Sequence, residues 1–473
     1  MTSAATSATE QAWAALGGAP ALLGRIGTSG PAGLLPSRLP VRELARAAVA
    51  VCSLAAAELA ARRTGGPVPR VPIDDGAVAT AFVSERHLRV DGRAPANFAP
   101  LSRFWRTADG WVRTHANYPH HRARLLGTLG LPADTADDVA VDAAAASFAG
   151  RHGAEIEETV YAAGGLAVAA RTPGEWAADP RRLALRDVPL VERERLGTAP
   201  VRRTAPLTGT PLRPAAGLRV LDLSRVLAGP VATRTLALLG ADVLRVDAPQ
   251  LPESQDAHSD TGFGKRSVSI DLTSAAGRGV FDELLAGADV VVTGYRPGAL
   301  ERLGLTPESL ASRRPGLVIG RLSAWGHGPW GRRRGFDSLV QVATGIAVTE
   351  AGPGAYEGPP GALPAQALDH GTGYLLAGAV LRALTEQHDE GGSRLATLSL
   401  ARTAAWLTDE IPAPQDRAAQ DGTYDPEKWL TETGSPLGLL RHALPPVAFD
   451  GAPAGWSRPP GHLGADAAAW LTA

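Results

Sequence analysis

Short apolar runs alternate with helical patterns through the middle of the chain, from residue 217 to residue 400. The apolar runs predict strands at 217–224, 241–246, 267–272, 288–293 and 316–322. The spacing of apolar residues between them predicts helices at 228–239, 275–285 and 307–313. Strands that are apolar throughout and alternate with helices are typical of a parallel sheet covered on both faces. This segment is therefore predicted to be a doubly wound α/β domain.

A long helical pattern follows these strands in PAQALDHGTGYLLAGAVLRALTEQHDEGGSRLATLSL, from Pro364 to Leu400. It presents Asp369 in a turn just ahead of the helix, and the pair Gly391 and Gly392 ends it. The dipole and the free N–H groups of a helix N-terminus favour an ionised carboxylate. Such an acid is typical of an N-cap, and it also suits a nucleophile. The local pattern leaves both interpretations open.

The first 200 residues have a different pattern of apolar and polar positions. A strong helix pattern covers residues 41–62 and ends at the pair Gly65 and Gly66. Further on, the pattern predicts a hairpin around residues 108–110 in FWRTADGWVRTHANY, helices at 121–129 and 143–162, and a strand at 166–170. These elements predict a small α+β domain ahead of the larger one.

The pattern divides the chain into five parts. They are a flexible lead-in at 1–24, an N-terminal helix with the small α+β domain at 25–205, a Rossmann-like domain at 210–405, a polar linker at 406–432, and a tail at 433–473 that returns to the large domain.

Composition narrows the class of protein. The 47 basic and 48 acidic residues nearly cancel, so no net charge favours nucleic acid or an anionic membrane. Cys52 is the only cysteine, which excludes a disulfide framework and fits a reducing compartment. The Ala-rich run from Ala47 to Ala61 is too short to span a membrane, and the N-terminal residues lack the basic region of a signal peptide. We expect a cytoplasmic protein.

Several common cofactor motifs are missing. The first βα turn of the large domain, residues 224–234, lacks GxGxxG, and neither a P-loop nor GxSxG occurs. His115, His120 and His121 lack carboxylate or cysteine support at metal-binding spacing, so polar surface at a helix start is the better interpretation. The segment GRRRGF at 331–336 fits a solvated loop, or a site for the phosphates of a nucleotide-bearing ligand.

Four ordered blocks carry a family resemblance. They are GLRVLDLSRVLAGPVATRTLALLGADVLRVDAP, GKRSVSIDLTSAAGR, ADVVVTGYRPGALERLGL and IGRLSAWGHGPWGRRRGFDSLVQVATG. This segment resembles the family III CoA-transferases, also called the CaiB/BaiF family, which share a fold with the α-methylacyl-CoA racemases. The resemblance implies that coenzyme A enters as acyl-CoA, that a small carboxylic acid accepts it, and that no metal takes part. It also implies an interlocked homodimer, although a rearranged chain leaves a monomer open.

The resemblance also implies roles for particular residues. Asp369 matches the family nucleophile, which forms an acyl anhydride and then an aspartyl-CoA thioester. The turn HisGlyThrGly at 370–373 is expected to donate N–H groups to the developing oxyanion. The blocks place the following residues at CoA-binding positions: Val226, Leu227, Ala228, Tyr295, Arg302, Leu303 and Arg334. Two departures weaken this mapping, because Leu227 replaces a frequent glutamine and Thr273 a frequent lysine.

Two alternatives to CoA transfer remain. A racemase or epimerase needs two proton-transfer groups, and Phe336 stands where the racemase branch has its histidine. His370 adjoins Asp369 and is the one substitute that the sequence suggests. A CoA-binding protein without turnover is the other alternative, favoured by Leu227, Thr273 and the rearranged chain.

The N-terminal helix resembles a degraded copy of the Asp369 helix. Aligning the pair at 65–66 with the pair at 391–392 places Glu43 opposite Asp369. The hypothesis is that two half-copies are fused, the first keeping the small domain and the second the large one. Asp369 is then the only nucleophile and Glu43 a relic; coincidence is the competing explanation.

Overall fold

The computed structural model describes residues 6–31, 33–95, 98–352, 358–413 and 424–471 of the 473-residue chain. Its α-helices, α1 to α17 in chain order, are Ala8–Ala15, Val41–Thr64, Asp75–Ala81, Ser84–His87, Pro119–Thr128, Asp137–Ala149, Gly153–Ala162, Pro173–Ala177, Pro180–Leu183, Ala228–Leu238, Gln255–Thr261, Ala275–Ala286, Pro307–Arg313, Asp337–Ala343, Ile346–Ala351, Ala367–Glu390 and Leu400–Ala405. Its strands, β1 to β15, are Ile26–Ser29, Val71–Asp74, Arg89–Val90, Phe104–Arg106, Trp111–Thr114, Ala167–Ala169, Glu192–Gly197, Arg219–Leu223, Asp242–Asp247, Lys265–Ser269, Val290–Thr293, Val318–Ser323, Ser393–Ser399, Leu430–Ser435 and Gly438–Ala443.

The large sheet has seven strands in the order β10-β9-β8-β11-β12-β13-β7. Its first six strands are parallel, and β7 adds an antiparallel edge. Counted along the chain from β8, the parallel strands therefore run 3-2-1-4-5-6, the order of a doubly wound dinucleotide-type fold. Helices cover both faces, since Val220 packs into the core under α10 and α16 while Leu221 packs toward α12 and α13. The predicted α/β class is confirmed.

The apolar runs located the first five parallel strands and the helices α10, α12 and α13, with bounds that differ by up to three residues. They did not predict β13, which is partly buried along its length and follows two glycines. Gly391 and Gly392 both adopt positive φ, at 61° and 82°, so the chain reverses sharply from α16 into this sixth parallel strand.

Helix α16 packs on β12 and β13 beside α10, and α2 packs along α16. A Cβ on Gly378 would lie 3.4 Å from the Cα of Cys52, so small residues allow the two helices to approach closely. Among the described residues, α2 is the helix long and apolar enough to cross a membrane, but 89% of its apolar window is buried inside the protein. Packing against α16 accounts for its apolar character.

Helices α2 and α16 share local geometry. Each has 24 residues, and the residues before them have nearly equal dihedral angles, φ −74° and ψ 56° at Pro40 and φ −73° and ψ 63° at Gln366. Each ends at a glycine and leads into a strand that pairs in parallel, β2 with β1 and β13 with β12. The half-copy hypothesis rests on this correspondence and remains a proposal.

The small module contains the antiparallel sheet β4-β5-β6 packed on α5, α6 and α7. Pairing of Phe104 with Arg113 confirms the predicted hairpin. The single helix predicted over 143–162 is wrong. Two helices, α6 and α7, replace it, because Gly150 ends the first and a new N-terminus starts at Gly153.

The chain ends differ from the sequence expectation in two places. Residues 8–15, assigned to a flexible lead-in, form α1, whose Trp13 is buried against α2; residues 1–5 lie outside the described residues. The assigned linker begins with a buried π-helical turn, Trp406–Glu410, and its residues 414–423 also lie outside the description. The tail runs beside β10, where Asp466 accepts from the Ser267 N–H at 2.8 Å.

Candidate active site

A cavity of about 570 Å³ opens at the carboxyl ends of the parallel strands, where the strand order reverses between β8 and β11. Such a switch point is where open α/β sheets bind ligands. One wall comes from the small module, through Tyr118, His120 and His121. The other walls come from the loops that follow the parallel strands, and Asp369 lies in the lining.

Asp369 is the third residue of α16, so the expected turn ahead of the helix is wrong. The N-cap is Gln366, whose side chain makes no capping bond, and the Asp369 side chain therefore does not cap this helix. Asp369 is 7% exposed and faces the cavity. Among the described residues, none donates a hydrogen bond to its carboxylate.

A second carboxylate lies beside it. Asp337, the first residue of α14, accepts a hydrogen bond from the Asp369 N–H at 2.9 Å through Oδ2. Its Oδ1 accepts from the Gln341 amide, whose oxygen in turn accepts from the Leu363 N–H at 2.9 Å. These bonds hold Asp337 in place against the nucleophile candidate.

The electrostatics of the pair differ from the sequence expectation. Burial, and then the negative charges of Asp337 and Glu85, raise the pKa of Asp369 well above its usual range. Burial likewise raises the pKa of Asp337 to about 6. The helix N-terminus was expected to hold Asp369 ionised, whereas burial and the neighbouring charges favour its neutral form. When ionised, this carboxylate is a stronger base than an ordinary aspartate.

The expected oxyanion donors are also placed differently. Residues 370–373 continue the helix, and the His370 N–H donates to the Gln366 carbonyl at 3.0 Å. The Asp369 N–H is used by Asp337. The turn of free N–H groups predicted from HisGlyThrGly is therefore absent from this described segment.

A buried histidine and glutamate lie behind Asp369. His370 is fully buried, stacks on Phe82 with ring centroids 5.2 Å apart, and approaches Glu85 with 3.4 Å between Nε2 and Oε2. Burial tends to raise the pKa of Glu85, but the hydrogen bond and charge of His370 outweigh it and the pKa is lowered. His370 does not line the cavity.

The first βα turn carries backbone strain. Val226 has φ 69°, a left-handed conformation that is costly for a β-branched residue. Glu253 holds this turn, since it accepts from the Val226 N–H and from Arg225, both at 3.3 Å, and from the Tyr118 hydroxyl at 2.8 Å. Glu253 thus ties the small module to the turn that shapes the cavity.

The three residues predicted in this turn are placed differently. Val226 and Ala228 line the cavity. Leu227 does not line it; its side chain is 8% exposed and packs into the hydrophobic core. The CoA-binding role expected for Leu227 stays a prediction.

One end of the cavity is basic. It is lined by Tyr295, Arg296, Arg302, Leu303 and Arg334, which include four predicted CoA-binding positions. Burial and the positive charges of Arg296, Arg124 and Arg302 lower the pKa of Arg334. Among the described residues, no carboxylate lies within ion-pair distance of Arg302 or Arg334. This end therefore has a surplus of positive charge that suits an anionic ligand.

Residues 215–425 match the family model described as CoA-transferase family III. Through this segment the chain is similar to CoA-transferase family III. It is similar to the "Probable fatty acyl-CoA transferase Rv3272" of Mycobacterium tuberculosis, with 35% identity over 229 residues, 45% of this chain and 57% of the relative. It is also similar to the "Formyl-CoA:oxalate CoA-transferase" of Streptomyces coelicolor, with 33% identity over 186 residues, 37% of this chain and 45% of the relative.

A crystal structure of Rv3272 matches with 36% identity over 42% of this chain and 57% of the other, at a TM-score of 0.39. The chain spans about half the length of these curated relatives. The similarity points to CoA-thioester chemistry in general. The acyl donor, the acceptor and the predicted homodimer remain predictions.

The histidines differ from the predicted polar surface. His115 and His121 are buried at 6% and 4% exposure, whereas His120 is exposed at the cavity mouth. His115 lies flat on Phe336, with ring centroids 3.8 Å apart. Phe336, the residue at the racemase histidine position, therefore packs against imidazoles from the small module.

Sequence reasoning missed four groups that shape this site: Asp337, Glu85, Glu253 and His121. Asp337 stood in a quoted block, and its place at the start of a short helix was a usable signal. Glu253 follows the carboxyl end of β9, the edge where such sheets bind ligands. Glu85 and His121 come from the N-terminal half, and their approach depends on tertiary packing alone.

Proposed function

We propose that this protein is a CoA-transferase that moves CoA from an acyl-CoA to a carboxylic acid through covalent intermediates on Asp369. The observation that carries the proposal is the placement of Asp369. Its carboxylate receives no hydrogen bond from the described residues and faces a cavity that Arg302 and Arg334 also line. A nucleophile and cations for phosphate groups in one cavity suit an anionic thioester.

The proposed steps balance as follows. An Asp369 carboxylate oxygen attacks the thioester carbonyl, the C–S bond breaks, and CoA thiolate leaves an aspartyl–acyl anhydride. The thiolate attacks the aspartyl carbonyl and expels the first acid, which leaves an aspartyl-CoA thioester. The acceptor carboxylate attacks that carbonyl and releases the thiolate. The thiolate then attacks the acceptor carbonyl, which forms the new acyl-CoA and frees Asp369.

The raised pKa of Asp369 supports its role as the attacking group. A more basic carboxylate is a stronger nucleophile once it is ionised. Low hydration also leaves little water to displace before attack. The negative charge of Asp337 also favours acylation of Asp369, because an acylated Asp369 carries no charge for Asp337 to repel.

The direct test is mass spectrometry of the intact protein after incubation with a panel of acyl-CoAs. The panel runs from formyl-CoA to long-chain acyl-CoA, because the relatives' names span that range. We expect a CoA adduct that hydroxylamine removes and that Asp369→Ala lacks. Glu43→Ala is the matched control, since Glu43 holds the third position of α2.

The same experiment separates the alternatives. Exchange of an α-proton with solvent, without an adduct, would support a racemase; Phe336 argues against it, because an apolar ring stands where the second proton-transfer group is needed. CoA binding with neither adduct nor exchange would support a binding protein without turnover.

A further inference from the structure

His121 has both ring nitrogens buried without a hydrogen-bond partner. Its side chain lines the cavity although the residue is only 4% exposed. Buried polar atoms in proteins are nearly always hydrogen-bonded, so an orphan imidazole in a cavity wall calls for a ligand.

The residues around His121 do not satisfy it. Tyr118 packs edge-on at 5.6 Å between ring centroids, but its hydroxyl donates to Glu253. Phe336, at 6.0 Å, has no polar atoms. His120 lies 4.0 Å away, ring to ring, and faces solvent at the cavity mouth.

The orphan imidazole lies close to the reacting carboxylate. Phe336 immediately precedes Asp337, which accepts the Asp369 N–H. His121 and Asp369 also line the same cavity. The cations Arg225 and Arg334 also act on His121 and favour an oxygen-bearing group beside it.

We propose that His121 binds an oxygen substituent, a hydroxyl or a second carboxylate, on the chain of the acid that this enzyme activates. The proposal rests on the proposed CoA transfer and specifies its substrate class. Burial, then His120 and His115, lower the pKa of His121 to about 3, so its ring is neutral in the free protein. A neutral imidazole offers one donor and one acceptor, which suit a hydroxyl, and its donor alone suits a carboxylate.

The test compares three acids of equal chain length as acceptors: the plain aliphatic acid, its hydroxy analogue and the dicarboxylic acid. We expect the native protein to favour an oxygen-bearing acid over the plain acid by about tenfold or more in kcat/KM, the worth of one hydrogen bond. Comparison of the hydroxy acid with the dicarboxylic acid shows whether His121 binds a hydroxyl or a second carboxylate. His121→Phe keeps the ring and should reduce the preference to about twofold or less.

His120→Phe is the matched control, because that imidazole lines the same cavity but water reaches its nitrogens. It should leave the preference unchanged. His121→Asn guards against a folding defect, since it is smaller and keeps a donor and an acceptor; thermal unfolding of each variant checks the fold. An equal preference in native protein and His121→Phe, or a native preference for the plain acid, would overturn the proposal.

Failure of this proposal is separable from failure of CoA transfer. If the Asp369 adduct forms but the preference ignores His121, only the substrate assignment fails. If no adduct forms with any donor, calorimetry with the same three acids in the presence of free CoA decides instead. Binding of an oxygen-bearing acid that His121→Phe weakens about tenfold supports the assignment, and binding that is insensitive to the variant overturns it.

Discussion

Glu43 and Asp369 occupy the same position, the third residue, of two packed 24-residue helices, α2 and α16. Their surroundings differ. Glu43 pairs with its neighbour Arg42 at 2.9 Å, and its side chain is 20% exposed. Asp369 faces the cavity beside Asp337. Helix position alone therefore does not define the nucleophile; the cavity and the second carboxylate do.

The first prediction concerns the length of the acidic side chain at this position. Asp369→Glu gives α16 the side chain of its counterpart and moves the carboxylate by one methylene. We expect kcat to fall about 100-fold, because a misplacement of about 1 Å costs that much in a positioned reaction. Steady-state transfer with the best donor measures it. Glu43→Asp, the reciprocal change, should leave kcat within about twofold, and a comparable loss there would assign Glu43 a role that this site does not give it.

Much of the large domain was predictable because its strands are buried on both faces and read as apolar runs. The first five parallel strands were located in this way. The break between α6 and α7 was missed, since alanine-rich sequence continues across Gly150 and Gly153 and periodicity alone does not mark the new helix start. The sequence correctly placed Asp369 near the N-terminus of a helix, but it placed the residue in the turn before the helix and not in its first turn.

The polar environment of Asp369 was not predictable from local pattern. Burial and the charges of Asp337 from α14 and Glu85 from α4 raise its pKa, and these two residues are distant from Asp369 in the sequence. His121 was assigned to polar surface because its sequence neighbours are polar. It is buried, and Phe336 packs against it from a distant segment while Tyr118 packs against it from the start of its own helix.

The second prediction concerns the acidic limb of the pH profile of kcat/KM. Asp369 must be ionised to attack, and the charge of Asp337 raises its pKa, so activity should rise with pH across a range above that of an ordinary aspartate. Asp337→Asn removes that charge and lowers the pKa of Asp369. The limb in the kcat/KM profile should therefore move to lower pH. Asp282→Asn, at an exposed ion pair with Arg313, should leave it in place.

The pH dependence of folding stability gives an independent check on the raised pKa of Asp337. Its pKa is raised from 3.8 to about 6 in the folded protein, so the folded state binds the proton more tightly than the unfolded chain. Native stability from this group is therefore full below about pH 4 and is lost as pH rises to about 6. As pH rises across that window, the melting temperature of Asp337→Asn should increase relative to that of the native protein. A constant difference would contradict the raised pKa.

The basic end of the cavity gives the third prediction. Arg302→Ala and Arg334→Ala should each raise KM for acyl-CoA about tenfold or more with little change in kcat, because a charge-assisted bond to phosphate contributes about 1.5–3 kcal/mol. Added salt should raise the native KM more than that of either variant. Arg313→Ala, which removes a cation already paired with Asp282 on the surface, is the control. A fall in kcat at constant KM would place these arginines outside ligand binding.

The division of the chain into complementary halves gives the last prediction. The sequence suggests a boundary near residue 205, and the connecting segment has no regular structure there. The second half alone would expose the face of α16 that α2 covers and the edge of β13 that β7 pairs with. We expect residues 206–473 to be insoluble alone but to co-purify with a tagged fragment of residues 1–205 when both are expressed together. The paired fragments should form the Asp369 adduct, since each supplies one wall of the cavity. Replacing Ala56 and Ala60 of α2 with arginine should prevent co-purification, whereas arginine at exposed Val139 of α6 should not; a soluble, adduct-forming second half alone would contradict the proposed complementarity.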